Sequence, residues 1–454
     1  MKRRDFLSKT AILGSAIPLG IGVPSVITSC SDGNGRNVTK AYSPDELGMF
    51  SFVEIAPDGK PLKAALVGCG DRGTGAAMQL LEAGPNVSIV ALADVFEDRM
   101  DTCRKLLMEK FDNKVDDSNC FIGFDSYKNV MEMNDIDVVL LCTPTHFRPE
   151  HFKAAIEAGK HVFMEKPCAI DPVGIRTVIA ASKVATSKGL TVITGNQRRH
   201  RRDYWEAYIQ IKNGIIGEVV SASSHWNQGA WWNKSHRPEW SDMEYCIRNW
   251  FNIKWLSGDH ILDQGIHNID IVTWFMDDKP LHAVGFGGRA RRLTGDIFDF
   301  FSVDYYYKNN KRMLHTARQI DDCDGNVSEQ IIGAKGMAQL NDSGNIKILD
   351  WEGNILWQYD YENKPVKNPY NQEHIHLVES IRKNKKINQA EDLAISNMVA
   401  ILGREAAYTG KPITWDEIMA SSLRYGPEEY AMGPLPNYKE GVVPIPGKEP
   451  SSPM

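Results

Sequence analysis

Two groups of side chains in this sequence have the types and spacing that acid–base chemistry needs. Glu165 and Lys166 place a carboxylate and an amine directly after a short apolar run that is typical of a buried strand. Asp263 and His267 lie four positions apart, so a helix would carry both on one face. A histidine changes charge near neutral pH, and a lysine beside a positive charge releases its proton more easily. These groups could therefore move the proton of a hydroxyl group.

A glycine-rich turn has the spacing of a dinucleotide site. The motif GCGDRG at 68–73 lies between an apolar run and a predicted helix. Its three glycines allow a tight turn, a close approach of a pyrophosphate and close packing of the helix. Asp94 ends the next apolar run, where it can bind both ribose hydroxyls and would repel a 2′-phosphate. The context favours NAD over NADP; the alternative is a glycine turn that binds no nucleotide.

The first half of the chain alternates short apolar runs with helical stretches, which predicts a parallel sheet covered on both faces. The predicted strands are 62–67, 87–93, 138–142, 161–164 and 190–194, and the predicted helices are 74–82, 150–158 and 172–188. After Gly195 the strands become longer and alternate in polarity. The fold class is therefore α/β, with a Rossmann-type parallel-sheet domain followed by an α+β domain that has a mostly antiparallel, open sheet.

The second half contains fewer but longer predicted elements. These are strands at 218–225 and 298–307, a turn at Asn309-Asn310, a hairpin at 328–340, and helices at 372–383 and 391–408. Predicted boundaries are a signal segment at 1–29, a tether at 30–60, a nucleotide-binding domain at 61–195, a substrate domain at 196–424 and a Pro-rich extended tail at 425–454. We expect the terminal helices to pack partly on the first domain and the tail to be free to wrap over a neighbour.

Composition excludes several classes of protein. The 454 residues hold 52 Lys+Arg and 58 Asp+Glu, a net charge of −6, which does not fit a nucleic-acid binder that works by positive charge. The hydrophobic share of 42% and charged share of 24% fit neither a multi-span membrane protein nor a disordered chain. The eight cysteines form no CxxC pair and no zinc spacing, so no metal site is predicted.

The first thirty residues have the features of a targeting signal and are not expected to be part of the folded domains. The run RRDFLSK at 3–9 resembles a twin-arginine export signal, and the residues before Cys30 resemble the lipobox of bacterial lipoproteins. The alternative is a retained membrane anchor, against which interrupting glycines and prolines argue. We expect an exported bacterial protein, periplasmic or attached by a lipid on Cys30 to a membrane facing the periplasm. Outside the cytoplasm a nicotinamide cofactor would have to be tightly bound.

At these motifs the sequence resembles the glucose-fructose oxidoreductase, inositol dehydrogenase and rhizopine-catabolism (Gfo/Idh/MocA) family. The resemblance covers roughly 62–408 and rests on GCGDRG, Asp94, CTP at 142–144 with His146, AGKHVFMEKP at 158–167 and DQGIHNID at 263–270. It implies that Lys166 and His267 flank the carbon that gives up hydride and act as acid and base, assisted by Asp263. It further implies that Glu165 bonds the nicotinamide ribose and that Pro167 often follows a cis peptide bond.

The resemblance and the residue pattern together give two sets of binding residues. Expected cofactor contacts are Gly68, Gly70, Asp71, Arg72, Gly73, Asp94, Arg99, Cys142, Thr143, Pro144, His146, Glu165, Lys166 and Asn196. Expected substrate contacts are Arg201, His225, Trp231, Trp232, Arg248, Trp250, Asp263 and His267. Tryptophan faces suit sugar rings, and seven of the eleven tryptophans fall between Trp226 and Trp274. The alternative is that these rings are core or subunit contacts and that the arginine run 198–202 is a solvated or salt-bridged loop.

The leading hypothesis is an oxidoreductase that transfers hydride between a secondary hydroxyl of a sugar or sugar derivative and tightly bound NAD. One alternative is an NAD-dependent glycoside hydrolase that oxidises the ring, eliminates the leaving group, adds water and returns the hydride. Another is a non-catalytic sugar-binding lipoprotein on the same fold. In every case we expect a small carbohydrate ligand, no nucleic acid, membrane contact only through the lipid anchor, and a homodimer or homotetramer.

Overall fold

Two β-sheets, one for each half of the chain, organise the protein. The computed structural model describes residues 41–448. The predicted signal segment, the acylation candidate Cys30, residues 31–40 of the predicted tether and the last six residues of the predicted tail lie outside that range. Within it, no helix is both long and apolar enough to cross a membrane.

The first half forms a six-stranded sheet in which every pair of neighbours is parallel. Its strands are β1 (Leu62–Val67), β2 (Val87–Asp94), β3 (Cys120–Ile122), β4 (Val138–Leu141), β5 (His161–Met164) and β6 (Val192–Thr194). Its helices are α1 (Asp71–Glu82), α2 (Glu97–Phe111), α3 (Ser126–Glu132), α4 (Arg148–Glu157) and α5 (Pro172–Lys188). The strand order β3-β2-β1-β4-β5-β6 reverses between β1 and β4, and ligands of such sheets bind at that point.

The second half forms a nine-stranded sheet with the order β14-β13-β12-β11-β7-β10-β9-β8-β15. Its strands are β7 (Val219–Gln228), β8 (His282–Gly288), β9 (Phe300–Tyr306), β10 (Arg312–Gln319), β11 (Asn326–Gly333), β12 (Gly336–Asn341), β13 (Lys347–Asp350), β14 (Ile355–Gln358) and β15 (Ile413–Thr414). Every pair is antiparallel except β7 with β10. The α/β fold class and the mostly antiparallel second sheet are thereby confirmed.

Helices cover one face of this second sheet and join it to the first domain. They are α6 (Arg202–Lys212), α7 (Asp242–Arg248), α8 (Lys254–Ser257), α9 (His260–Asp263), α10 (Ile266–Met276), α11 (Pro369–Arg382), α12 (Ala390–Thr409) and α13 (Trp415–Ala420). Helix α12 packs on β8 and also on α5, and α11 packs on α1 and β6. The terminal helices therefore pack back on the first domain, as the sequence predicts.

Local signals in the sequence explain where several elements begin and end. The side chain of Asp171 accepts a hydrogen bond from Gly174 N at 2.8 Å and caps α5, which begins at a proline and is followed by a left-handed glycine. Helix α5 has the predicted bounds. The predicted turn between β9 and β10 is also confirmed, because Asn309 and Asn310 both adopt positive φ there.

The tail contacts its own chain as far as the structure describes it. Tyr425 N donates to Asp171 at 3.1 Å, and the Tyr430 hydroxyl lies 2.7 Å from the His146 ring. Leu435 is buried against residues around α7. The segment has no helix or strand of its own up to residue 448, in agreement with the predicted extended conformation. These contacts hold it on its own first domain and on α7, whereas the sequence left it free to reach a neighbour.

Candidate active site

The glycine turn lies at the switch point of the first sheet, where β1 ends and α1 begins. Gly68 adopts a φ of +100°, which a residue with a side chain rarely adopts. A Cβ on Gly68 would lie 2.7 Å from Thr143 N, in the loop that follows β4. A Cβ on Gly73 would overlap the Gly68 carbonyl oxygen. The turn therefore needs both glycines, and its shape fits the diphosphate of a dinucleotide at the start of a helix.

Asp94 lies at the carboxyl end of β2, beside this turn. Its carboxylate accepts hydrogen bonds from Cys69 N at 2.6 Å and from Phe96 N at 2.9 Å. Burial raises the pKa of Asp94, and the two backbone hydrogen bonds oppose that shift. Each carboxylate oxygen keeps a lone pair for a further donor. The position and chemistry of Asp94 fit the adenosine ribose of a nicotinamide dinucleotide.

Glu165 belongs to a buried ionic cluster. Its carboxylate pairs with the Arg72 guanidinium, which also binds Glu373 of α11 at 2.8 Å. Burial acts to raise the pKa of Glu165, but the charges of Arg72 and Lys166 outweigh it and hold that pKa below its ordinary value. Burial, together with the charge of Glu165, raises the pKa of Glu373 well above its ordinary value. Two buried carboxyl groups thus share the single Arg72 guanidinium, and Glu165 is the more acidic of the two.

Lys166 reaches from the first domain to the second. Its Nζ donates to the Asp263 carbonyl oxygen at 2.6 Å, and the Lys166–Pro167 peptide bond is cis, as the resemblance implies. The single helix predicted to carry Asp263 and His267 is wrong, because α9 ends at Asp263 and α10 begins at Ile266. His267 N bonds to the Gln264 carbonyl at 3.2 Å, which leaves the Asp263 carbonyl for Lys166. The break in the helix thus creates the acceptor that positions the lysine.

Asp263 and His267 make no hydrogen bond to each other within residues 41–448, and the predicted contact of Asp263 with the substrate stays a prediction. The Asp263 carboxylate accepts from the Gln264 side chain at 2.9 Å. Asp270, one turn beyond His267, accepts two hydrogen bonds from Arg199, each at 2.9 Å, and one from Ser396. Both carboxylates are therefore engaged elsewhere, because the helix break turns Asp263 away and Arg199 holds Asp270.

His267 is placed to meet a ligand. Its ring stacks on Trp226 with centroids 5.2 Å apart, and the ring nitrogens have no hydrogen-bond partner within residues 41–448. Burial and the positive charges of Lys166 and Arg198 lower the pKa of His267 well below its ordinary value. The imidazole is therefore neutral at physiological pH and can accept a proton or a hydrogen bond.

The cleft beside His267 contains polar atoms without partners. Asn196, Gln197 and Arg198 line it together with His267. The buried Asn196 Oδ1, Gln197 Oε1, Arg198 Nη2 and Trp226 Nε1 make no hydrogen bond in the part of the chain that the structure describes. Buried polar atoms are normally hydrogen-bonded. A ligand with several hydroxyl groups would satisfy these donors and acceptors.

Glu329 of β11 forms an ion pair with Arg198, and it predicts how the free energy of unfolding depends on pH. The two form a fully buried ion pair, and burial raises the pKa of Glu329 to about 7 although Arg198 opposes the shift. The folded chain therefore keeps a proton that the unfolded chain, with the ordinary value of 4.5, releases. Folding stability should fall as pH rises through this window, with a slope approaching about 1.4 kcal/mol per pH unit.

We expect Glu329→Gln to remove this slope, because the amide does not titrate. Urea unfolding of wild type and variant at several pH values between 4.5 and 7 measures it. Glu352→Gln is the matched control, since Glu352 is exposed and should leave the slope unchanged. Parallel pH profiles for wild type and Glu329→Gln would contradict the prediction.

Several predicted substrate residues are placed away from His267. Alternation along β7 puts His225 on the face opposite Trp226, where its ring bonds Thr316 at 2.8 Å. The Arg201 guanidinium is taken by carboxylates of Asp203 and Asp342, at 2.6 and 2.8 Å. His225 and Arg201 are therefore bonded within the chain and their substrate contacts stay a prediction, whereas Arg198 is the arginine of the run that lines the cleft.

The other predicted substrate residues lie at the edge of the nucleotide-binding domain. Arg248 binds Asp98 at 2.9 Å and stacks on Phe96, both at the carboxyl end of β2, so it is not in the cleft as predicted. Trp231 and Trp232 are exposed, and both pack on Phe251. Trp250 packs on the same phenylalanine. These rings form one surface cluster without a contact to Lys166 or His267 within residues 41–448.

The remaining predicted cofactor residues surround the glycine turn. Cys142, Thr143 and Pro144 form the loop that meets Gly68, and Asp71 and Arg99 lie at the starts of α1 and α2. His146 differs, because its ring bonds Tyr430 of the tail and packs on Trp255. Burial lowers the pKa of His146 to about 3. Residues 41–448 contain no group of three His, Cys, Asp or Glu placed to bind a metal ion.

Two family descriptions match the chain over the two sheets. Residues 62–195 match the oxidoreductase family with a NAD-binding Rossmann fold, and residues 204–339 match the GFO/IDH/MocA C-terminal domain. The chain belongs to the Gfo/Idh/MocA oxidoreductase family. Its first domain is therefore a NAD(P)-binding Rossmann domain.

Named relatives within the Gfo/Idh/MocA family differ in reaction. A dTDP-3,4-didehydro-2,6-dideoxy-α-D-glucose 3-reductase from Actinomadura kijaniata is 27% identical over 169 residues, 37% of this chain and 46% of the relative. A 2,7-anhydro-N-acetylneuraminate hydratase from Escherichia coli is 29% identical over 167 residues, 37% of this chain and 41% of the relative. An inositol 2-dehydrogenase from Salmonella typhimurium is 25% identical over 316 residues, 66% of this chain and 83% of the relative. The chain thus spans less than half of the first two.

Solved structures of the family share the fold. Scyllo-inositol dehydrogenase from Lactobacillus casei, with bound NAD(H) and scyllo-inositol, has a TM-score of 0.59 at 21% identity and covers 78% of this chain and 99% of its own. Aldose-aldose oxidoreductase from Caulobacter crescentus has a TM-score of 0.60 at 18% identity, with the same two coverages of 78% and 99%.

Three residues of this Gfo/Idh/MocA site escaped the sequence analysis. Trp226 supports the His267 ring, Arg198 lines the cleft, and Glu373 joins the Arg72–Glu165 pair. The arginine run 198–202 indicated that one of its members could contact a substrate, but the sequence did not show which one lines the cleft. Nothing local marks Glu373, because its partner is 301 residues away in the sequence.

Proposed function

We propose that the protein transfers hydride between a secondary hydroxyl of a sugar or sugar derivative and a tightly bound NAD. One observation carries the proposal: Lys166 of the Rossmann domain donates to the Asp263 carbonyl, four residues before His267, and His267 lines a cleft that contains unpartnered polar atoms. The cleft lies past the carboxyl ends of the parallel strands, where ligands of such sheets bind. Family membership alone would not select this reaction, because one fold hosts many activities.

The side chains divide the chemistry between them. When bound, the nicotinamide ring accepts or returns the hydride. As hydride leaves the alcohol carbon, the neutral His267 imidazole takes the hydroxyl proton, and the Lys166 amine, fixed by the Asp263 carbonyl, hydrogen-bonds the same oxygen. Arg198 and Asn196 offer a donor and an acceptor to neighbouring hydroxyls. In the direction of ketone reduction the proton returns from His267.

We further propose NAD in preference to NADP. The Asp94 carboxylate at the end of β2 is nine-tenths or more buried and would lie against the hydroxyls of the adenosine ribose. A phosphate on the 2′ oxygen would bring a second negative charge into that low-dielectric site. Comparing the affinities for NADH and NADPH tests this; tighter binding of NADPH would refute it.

The decisive experiment identifies the nucleotide and the product. One sample of the purified full chain is unfolded, and the released nucleotide is identified by mass spectrometry. A second, folded sample is screened with mono- and disaccharides and inositols for reduction of NAD, followed by absorbance at about 340 nm. A nicotinamide nucleotide and a ketone product are expected. The proposal fails if the chain binds no nicotinamide nucleotide, or if none of the polyols tested causes reduction of the nucleotide. Binding of sugars without any reduction would instead identify a non-catalytic sugar binder.

A redox-neutral reaction is the second candidate. It is favoured by the relative named as a hydratase, a class of reaction without net redox change. In a glycoside hydrolase of this kind the ring is oxidised, the leaving group is eliminated, water adds and the hydride returns. A hydrolysed glycoside without any accumulated ketone would favour this candidate over the dehydrogenase.

We also propose that the protein is exported and attached to a membrane facing the periplasm through Cys30. The twin-arginine run and the lipobox support this. Fractionation of cells that make the full chain should find it in the membrane pellet, and Cys30→Ala should move it to the soluble fraction. A Cys30→Ala chain that still sediments with membranes would refute lipidation at this residue.

We propose a homodimer or homotetramer that uses the open face of the nine-stranded sheet. Phe286, Phe300 and Leu314 are exposed there, at positions that alternate with buried residues of the same strands. Sedimentation of the purified chain measures the assembly, and a monomer at micromolar concentration would refute it.

A further inference from the structure

We propose that two consecutive residues of α12, Ser396 and Asn397, are positioning residues for the pair formed by Lys166 and His267. Asn397 holds the backbone segment that follows Lys166, and Ser396 holds the helix that carries His267. One helix would thus fix both members of the pair relative to each other. The inference rests on the proposed function, because it concerns the two side chains assigned there to the substrate oxygen.

The Asn397 side chain binds the chain directly after the Lys166–Pro167 pair. Its Oδ1 accepts hydrogen bonds from Cys168 N at 2.8 Å and from Ala169 N at 3.1 Å. Asn397, Cys168 and Ala169 are all fully buried, so water does not compete for these donors. A single side-chain oxygen therefore satisfies two successive backbone groups.

This segment depends on side chains because it belongs to no helix or strand. Residues 165–171 connect β5 with α5, so their backbone groups need partners outside regular secondary structure. Arg148, the first residue of α4, donates to the Pro167 carbonyl. Together with the two bonds to Asn397, this contact holds the three residues that follow Lys166. The place from which the lysine side chain starts is therefore set by α4 and α12.

Ser396 has the corresponding contact on the side of His267. Its hydroxyl donates to Asp270 Oδ1 at 2.7 Å, and both side chains are buried. Asp270 lies three residues after His267, about one turn along α10. Arg199 donates to the same carboxylate. Rotation of α10 about its axis would break these bonds, so they hold the His267 ring toward the cleft that it lines.

Helix α12 can hold both partners because it packs against both domains. It contacts α5 of the first domain, and β8 and α10 of the second. Adjacent side chains of a helix point about 100° apart, so Ser396 and Asn397 reach different partners from one rigid element. Gln389, directly before α12, accepts a hydrogen bond from Thr194 N of β6 at 3.0 Å. A movement of one domain against the other would therefore have to break contacts of α12.

The effect on the rate follows from how strictly proton transfer depends on distance. Without the Asn397 oxygen, two buried N–H groups have no acceptor, which is unfavourable enough to move the segment toward another one. The lysine at its start would move with it. A displacement of about 1 Å at a reacting group can lower the rate about 100-fold.

The test compares Asn397→Leu with wild type in the full chain. Leucine has a similar shape but no acceptor, so kcat for NAD reduction by a sugar should fall about 10- to 100-fold. Affinity for NADH should stay within about twofold, because the glycine turn and Asp94 are unchanged. Asn388→Leu is the matched control and should keep the wild-type kcat, since Asn388 donates to Ser182 and Thr186 of α5, at 3.0 and 2.9 Å.

Two comparisons distinguish positioning from a general loss of structure. Asn397→Asp keeps an accepting oxygen, and Asn397 Nδ2 makes no hydrogen bond within residues 41–448, so this variant should recover most of the rate that Asn397→Leu loses. In a Lys166→Met background, Asn397→Leu should cause little further loss of kcat, because the side chain through which Asn397 acts is absent.

Ser396→Ala tests the other contact and removes only one hydrogen bond, so it serves even if Asn397→Leu does not fold. The loss of kcat should be about two- to tenfold, because Arg199 still binds Asp270.

The inference is overturned by a wild-type kcat in Ser396→Ala and Asn397→Leu. It is also overturned if Asn397→Leu lowers kcat by the same factor with and without Lys166. Both results leave the proposed function standing. A wild-type chain that transfers no hydride from any sugar overturns the proposed function itself.

Discussion

Replacing Lys166 with methionine should lower kcat by about 10²- to 10³-fold, the range for loss of a hydrogen-bond donor to a developing oxyanion, while NADH still binds. The lysine amine lies between the two domains on the Asp263 carbonyl, beside the neutral ring of His267. Methionine keeps the length of the side chain but can neither donate to the substrate oxygen nor carry a charge. The effect is measured as kcat for NAD reduction, with a sugar that the wild-type protein oxidises.

A separate measurement keeps this prediction distinct from misfolding. Lys166→Met should unfold in urea at a midpoint near that of wild type, because the half-buried amine makes one hydrogen bond. Lys183→Met on the exposed face of α5 is the matched control and should change kcat less than twofold by the usual behaviour of surface substitutions. A Lys166→Met chain that turns over at more than about a tenth of the wild-type rate would contradict the assigned role, since a donor to a developing oxyanion contributes more than that.

Much of the first domain could be predicted because its signals are local. The glycine turn, Asp94 at the end of β2 and the capped helix α5 each depend on neighbours in the sequence. Strand boundaries in the parallel sheet follow from runs that are apolar on both faces. The bounds of the predicted strands differ by only a few residues, such as β6, which begins at Val192 and not at Leu190. The short edge strand β3 and the helices α2 and α3 beside it were not predicted.

The second domain was predicted less completely because its pairings are distant. The parallel pairing of β7 with β10 joins residues 91 positions apart, as in Ser224 with His315. At the break between α9 and α10 the Asp263 carbonyl binds Lys166, which lies 97 positions earlier in the sequence. Helical periodicity does not reveal such a competitor for a backbone group. The pattern at i, i+4 therefore predicted one helix where the chain has a break between α9 and α10.

Partners that the sequence pattern does not reveal also explain why the roles of the arginines at 198–202 were not predicted. All four side chains are charged alike in the sequence, yet Arg198, Arg199 and Arg201 are buried on carboxylates of Glu329, Asp270 and Asp203. A buried guanidinium needs a carboxylate partner. Because those partners lie on β11, α10 and α6, only the folded chain shows that Arg198 is the member that faces the cleft.

The Arg72 cluster carries the second large prediction, and it concerns stability. Replacing Arg72 with methionine should lower the free energy of unfolding by about 3–5 kcal/mol, the range for breaking a buried ion pair by removing one partner. Glu165 is 3% exposed and Glu373 is fully buried, so neither carboxylate can gain water in place of the guanidinium. Urea unfolding at pH 7 measures the loss. Arg237→Met is the matched control, because Arg237 is exposed.

A double variant separates this electrostatic cause from lost packing. Burial, together with the charge of Glu165, keeps the pKa of Glu373 well above its ordinary value. Glu373→Gln keeps the shape of the side chain and should cost about 1 kcal/mol or less. In Arg72→Met the charge of Glu165 loses its main neutralising neighbour, and its pKa should rise. Adding Glu373→Gln to Arg72→Met removes one of the two carboxyl groups that then face each other. The double variant should therefore be more stable than the sum of the single effects predicts, whereas strict additivity would mean that Arg72 stabilises the protein by packing alone.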